Sequence, residues 1–157
     1  MAECRVRIKE RGEAQCFYGL WGQAHDRSRP TDIDDLSQRY YQAAGREAGQ
    51  VLPFVVLCRQ YDAKSGQCEL FIGSTEPGQD LASVTLASGF YAEMTIRPFL
   101  GRFWGAAIGR AKRWFYTKWL PESDYEAVNL EYEYHTQDSV GAKPFITLIF
   151  AIRPREQ

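Results

Sequence analysis

The sequence predicts an α+β fold: a tandem βαββ repeat forming an antiparallel sheet of about eight strands, with two main helices on one face and a central cleft. Three observations carry that expectation. Runs rich in β-branched and aromatic residues alternate with two amphipathic helical stretches in the order β-α-β-β, then β-α-β-β. The last two strands of each half are joined by short turn-forming stretches, which make antiparallel hairpins rather than parallel crossovers. Two helices are too few to sandwich such a sheet, so both pack on one face and leave a groove between them.

The elements follow in order. "RVRIKE" (5–10) alternates and "AQCFYGLWG" (14–22) is apolar and aromatic, which predicts one long strand broken near Gly12. Thr31 is the expected N-cap of the first helix, with Asp34 three residues on and Pro30 just outside. Ile33, Leu36, Tyr40 and Ala44 then form one apolar stripe, and Gly45 or Gly49 ends the helix. "VLPFVVLCRQYD" (51–62), the turn "AKSG" and "QCELFIGS" (67–74) read as a hairpin. After a polar connection the order repeats. The stretch 81–96 is a strand broken or bulged near Gly89, and 97–119 is a helix with Trp104, Ile108, Ala111, Phe115 and Trp119 on its apolar stripe. Its basic residues, Arg102, Arg110, Lys112, Arg113 and Lys118, are expected on the outer face, and Pro121 is expected to stop it. "AVNLEYEYHTQ" and "FITLIFAIRP" (145–154) close a second hairpin. The chain thus reads as a single domain, 1–157, of two halves near 1–78 and 79–157 that share element order but little sequence.

Composition narrows the function. A net charge of −1 with no long basic run gives no electrostatic footprint for nucleic acid. The charged N-terminus lacks the apolar segment of a signal peptide, no run is long enough to span a bilayer, and a cytoplasmic location is expected. Cys4, Cys16, Cys58 and Cys68 include no CxxC and no neighbouring His cluster, so reduced thiols are expected rather than a metal site. No Gly-rich phosphate loop follows a strand, so nothing points to a nucleotide. Aromatic residues make up 14% of the chain, enough to line a pocket as well as fill a core.

The segment "VNLEYEYHTQ" (128–137) raises the functional question. Strand alternation puts Asn129, Glu131, Glu133 and His135 on one face and Val128, Leu130, Tyr132 and Tyr134 on the other. Such an acidic face is ordinarily the solvated side of a half-buried strand. The alternative is the floor of a cleft. Unpaired carboxylates in an apolar hollow are costly, so they recruit a cation or take up a proton.

Longer-range motifs support the cleft. A helix ending in an aromatic, then "WLPESDYE" (119–126), then a glutamate-bearing strand resembles the GyrI-like family, the effector-binding domains of AraC-type and multidrug-responsive bacterial regulators. "SGFYA" (88–92) and "CELFIGS" (68–74) resemble two further motifs of that family, and the resemblance covers nearly the whole chain. It implies two βαββ halves related by a pseudo-twofold, and a pocket for lipophilic, often cationic, small molecules with a buried glutamate as counter-ion. The family's glutamate motif aligns either on Leu130-Glu131-Tyr132-Glu133 or on Tyr132-Glu133-Tyr134-His135, so either carboxylate can be the pocket acid. With the first strand so near the start there is no room for a helix-turn-helix domain, which implies a free-standing member resembling drug-binding modules on mobile gene cassettes.

The candidate ligand-binding residues are therefore Glu131 and Glu133 for charge, with Trp104, Tyr91, Trp21, Phe71 and Ile108 for apolar contact. No catalytic residue, metal or cofactor is assigned, and neither His25 nor His135 has the context of a haem ligand. The expected partner is an amphipathic, cationic or aromatic small molecule, with a separate regulator protein or a homodimer compatible with the sequence. No direct nucleic-acid or membrane partner is expected. Hydrolysis of a reactive small molecule in the same groove, or a protein-interaction role such as gyrase protection, are the alternatives.

Overall fold

A computed structural model describes residues 5–48 and 50–156. In chain order the elements are β1 (Arg7–Arg11), β2 (Gln15–His25), α1 (Arg29–Ala44), β3 (Phe54–Asp62), β4 (Gln67–Ser74), β5 (Ala82–Leu86), β6 (Gly89–Ile96), α2 (Trp104–Trp114), β7 (Tyr125–His135) and β8 (Ile146–Pro154). All eight strands join one antiparallel sheet in the order β1-β6-β8-β7-β3-β4-β2-β5. The expected α+β class, strand number and two-helix arrangement are therefore present.

The breaks foreseen near Gly12 and Gly89 shape the sheet. Arg11 pairs with Gly89 at the end of β1–β6, and Gln15 pairs with Leu86 at the start of β2–β5. The two broken strands thus run side by side through both breaks, and the sheet curls into a half-barrel. The β3–β7 pair lies at its middle, with Phe54 opposite His135, Val56 opposite Glu133 and Cys58 opposite Glu131.

Both helices cover the same face. Leu36 and Tyr40 of α1 bury against Ala24, Val56, Leu70 and Ile72, while Ala107 and Ala111 of α2 bury with Phe115 against Met94, Leu148 and Phe150. The other face carries its own core of Phe17, Leu57, Phe71, Tyr91, Tyr132 and Ile149. The β3–β7 pair runs between the helices, which makes it the floor of a cleft.

Several boundaries differ from the sequence reading. Helix α1 starts at Arg29, with Ser28 as N-cap and Pro30 inside the first turn, so Thr31 and Asp34 form no capping box. Proline suits the first turn because its missing N–H costs nothing there. Asp32 orders that turn instead, accepting from the Ser28 hydroxyl at 2.7 Å and the His25 amide at 3.0 Å. Gly45 ends α1 in the left-handed region at φ 68°, and Gly49 lies outside the described residues, as does Cys4.

The second helix starts at Trp104 rather than 97. Pro98 precedes a reversal in which Leu100 and Gly101 take φ of 53° and 74°, incompatible with a helix. At its other end Pro121 does not stop the helix. A π-helical turn over Phe115–Trp119 widens the backbone ahead of the proline, and helical geometry runs on through Leu120–Glu122. Strand β7 also departs from simple alternation. Its register on β8 shifts between Ala127 and Glu131, and Asn129 sits in that bulge at φ 54°, bonded through its side-chain amide to the Tyr61 backbone at 2.8 and 3.0 Å. Asn129 therefore leaves the face shared by Glu131, Glu133 and His135.

Candidate functional site

Glu131 and Glu133 project from β7 onto the cleft floor, and neither is a solvated surface carboxylate: their side chains are 18% and 13% exposed. Helix α2 supplies the partners of Glu131. Lys112 Nζ lies 2.9 Å from Oε2, and the Tyr116 hydroxyl donates to Oε1 at 3.0 Å. The Oε2 atom is fully buried and has no hydrogen bond, so the ionic contact with Lys112 is what compensates its charge. Burial pulls the Lys112 ammonium down, but the Glu131 and Glu133 carboxylates outweigh it and hold its pKa above the ordinary value. Burial, then the Glu131 charge, raises the Tyr116 phenol.

Lys112 was expected on the outer face of its helix. The structure corrects this, because Trp104, Ile108, Lys112 and Tyr116 recur every fourth residue and so share a stripe. A second stripe, Ala107, Ala111 and Phe115, is the one that fills the core. The sequence reading merged the two stripes and so passed over Lys112 and Tyr116. The four-residue spacing from Trp104 was the available signal.

Glu133 has a different neighbour. Its Oε1 lies 3.1 Å from His135 Nε2. The His135 ring meets Phe54 edge-on at 5.9 Å between centroids and lies 6.5 Å from the ring of Trp104. Phe54 in turn stacks on Tyr41 of α1 at 5.8 Å. A chain of rings, Tyr41, Phe54, His135 and Trp104, thus crosses the cleft from one helix to the other beside Glu133, each of them partly exposed. The sequence reading missed Tyr41 and Phe54 because their contact spans two elements.

The opposite end of the floor carries thiols. Cys58 faces Glu131 across the β3–β7 pair, and Cys68 Sγ lies 4.0 Å from the Arg29 guanidinium, itself 3.3 Å from Asp26. The hydrogen bond from Cys58 lowers the Cys68 pKa to about 7, with burial opposing and Arg29 assisting, while Cys58 is raised. The described cysteines, Cys16, Cys58 and Cys68, are free thiols. Among the described residues no group of three or more His, Cys, Asp or Glu side chains could hold a metal ion.

The structure brings Glu131, Glu133, Trp104 and Ile108 together on the helix-covered face. It places the other three candidates on the far face of the sheet. Tyr91 is buried there, its hydroxyl donating to the Ala87 carbonyl at 2.6 Å and its ring under the Arg11 guanidinium at 4.6 Å. Phe71 is fully buried in the same core, and Trp21 packs edge-on against it at 5.0 Å with Arg59 over its ring at 4.1 Å. Strand parity decides this: Tyr91 and Phe71 share their face with Tyr132, one residue out of phase with Glu131 and Glu133. Among the described residues three hollows lie away from the acidic pair, one of them about 530 Å³ beside Trp114, Lys118 and Trp119. Another, of about 450 Å³, opens on the far face beside Arg11 and Tyr134, and a third of about 1050 Å³ lies between β1 and the loop around Phe99.

No family model and no curated protein matches the chain by sequence. Solved structures do match in three dimensions. SAV2435 bound to tetraphenylphosphonium superposes with a TM-score of 0.67 at 13% identity, over 97% of this chain and 94% of that one. An integron cassette protein from Vibrio cholerae gives 0.65 at 14% identity, over 94% and 95%. A protein from Staphylococcus aureus MU50, described as a bacterial transcription regulation protein, gives 0.65 at 14% identity, over 96% and 98%. The chain shares its fold with these proteins and with the EcmrR C-terminal domain. At these identities the likeness concerns the fold.

Proposed function

We propose that the protein binds a lipophilic, aromatic or cationic small molecule in the cleft between α1 and α2. One observation carries the reading: two carboxylates are withdrawn from water on the cleft floor, and one of them, Glu133, sits beside partly exposed rings with an imidazole 3.1 Å away. Glu131 is already neutralised by Lys112, so Glu133 is the acid available to a guest. Aromatic faces add about 0.5–2 kcal/mol per good cation contact. That a protein of this fold binds tetraphenylphosphonium supports the same class of guest. Capture would serve sequestration, or sensing together with a separate regulator, and the two halves of the chain would act as one binding domain.

The test is a calorimetric titration with tetraphenylphosphonium. Wild type should bind, and Glu133→Gln should weaken binding about tenfold or more. Unchanged affinity in that variant removes Glu133 from the role. A hydrolytic reading has one observation in its favour, the Glu133–His135 contact at 3.1 Å, which could orient a water. Product formation over many turnovers would be its signature.

A further inference from the structure

We propose that Lys112 sets the charge of the ligand: it occupies one of two cation places on the cleft floor, so the cleft accepts an aromatic molecule with a single positive charge and rejects a dication. The proposal rests on the reading of the cleft as a small-molecule site. Glu131 and Glu133 lie two residues apart on one strand face, about 7 Å along the backbone, so their charges are felt together. Lys112 Nζ is 2.9 Å from the buried Oε2 of Glu131, an oxygen with no hydrogen bond of its own. The Tyr116 hydroxyl donates to the other oxygen, so both Glu131 oxygens already have a polar partner.

The remaining charges lie at the opposite end of the floor, where the Arg29 guanidinium faces Asp26 and the Cys68 thiol, whose pKa is lowered to about 7, and offsets their charge. Arg29 is paired with Asp26 at 3.3 Å, and its guanidinium also meets Cys68 Sγ at 4.0 Å. His135 contacts Glu133 and is charged only when protonated. With a neutral imidazole, two carboxylates against one ammonium leave one negative charge, and the geometry leaves it at Glu133. The rings of Phe54 and Trp104 both lie beside His135, the neighbour of Glu133, and aromatic rings attract a cation. A second positive charge on the same guest would lie beside Lys112, in a setting where like charges are poorly screened.

The lysine is thus a specificity residue that need not touch the bound molecule, and this makes an unusual prediction. Removing Glu131 frees Lys112 to cancel Glu133, so binding of a monocation should fall. Removing Lys112 as well should restore it.

The experiment compares tetraphenylphosphonium, one charge, with methyl viologen, two charges, by calorimetry at pH 8. In Glu131→Gln the affinity for tetraphenylphosphonium should drop about tenfold, and in Glu131→Gln/Lys112→Met it should return to within about threefold of wild type. In Lys112→Met alone the preference should shift toward methyl viologen by about tenfold. The double variant removes both members of the Glu131–Lys112 pair and leaves Glu133 as it is in wild type, so the test does not depend on the single lysine variant folding. If the double variant stays as weak as Glu131→Gln, or folded Lys112→Met keeps the wild-type preference, Lys112 does not set the ligand's charge. If Glu133→Gln still abolishes binding while the rescue fails, the cleft reading stands and this proposal alone falls. If wild type binds neither cation, the cleft reading fails and takes the proposal with it.

Discussion

Glu131 and Glu133 come from the same strand face, yet one has a lysine and a phenol and the other an imidazole. That difference decides what each can do, and it predicts a pH dependence. The Lys112 pKa is raised in the folded protein above its ordinary value of 10.5 by the two carboxylates, against burial. Its contribution to stability is therefore complete below about 10.5 and is lost as pH climbs through the raised folded value. Urea unfolding midpoints followed from pH 8 to about 11.5 should fall more steeply in wild type than in Glu131→Gln/Lys112→Met, which retains Tyr116. Parallel curves would show that the ion pair does not contribute. The paired glutamates were legible in the sequence, because strand alternation alone puts them on one face. Lys112 was not, since its role depends on which of two helical stripes turns toward the cleft. Tyr91, Trp21 and Phe71 were misplaced because ring-rich composition does not reveal strand parity relative to a distant strand.

At the scale of elements, the sequence gives most strands correctly because their apolar runs are bounded by turn residues, and it errs where backbone geometry intervenes. The WLPES segment shows this. Pro121 suggests a stop, but the π-helical turn before it accommodates the ring, and the true end comes at Ser123, whose hydroxyl donates to the Leu120 carbonyl at 2.8 Å. No side-chain pattern announces a π-turn. The β2–β4 pairing depends on a similarly hidden constraint. Gly19 and Gly73 face each other, and a methyl group on Gly19 would overlap the Ile72 carbonyl oxygen, a backbone atom unable to swing aside. Gly19→Ala should cost about 3 kcal/mol or more by forcing the strands apart, whereas Gly12→Ala, with open space around it, should change stability by less than about 0.5 kcal/mol. Thermal unfolding of the two variants decides it, and similar midpoints would mean that the pairing yields easily.

Across the whole molecule the two βαββ units are joined in three places rather than one. The β3–β7 ladder links them at the centre. At the flanks the exchange is reciprocal, since β1, from the start of the chain, pairs with β6, and β5, from its second half, pairs with β2. Each unit thus holds an edge strand whose hydrogen-bond partner belongs to the other. Separated after residue 78, a first fragment would keep β2, β3 and β4 but expose the floor edge of β3 and leave β1 unpaired. Apolar surface on the far face would open too, because Phe17, Leu57 and Phe71 pack there with Tyr91, Tyr132 and Ile149 from the second unit. Unpaired backbone groups and a divided core together outweigh what one helix and three strands bury. Fragments 1–78 and 79–157 should therefore fail to unfold cooperatively when alone and regain wild-type far-ultraviolet dichroism and a single transition when mixed in equal amounts. Cooperative unfolding of either fragment alone would mean that the units are independent domains. The cleft would then be an interface between them rather than a hollow built into one sheet, and ligand binding would depend on how firmly they dock.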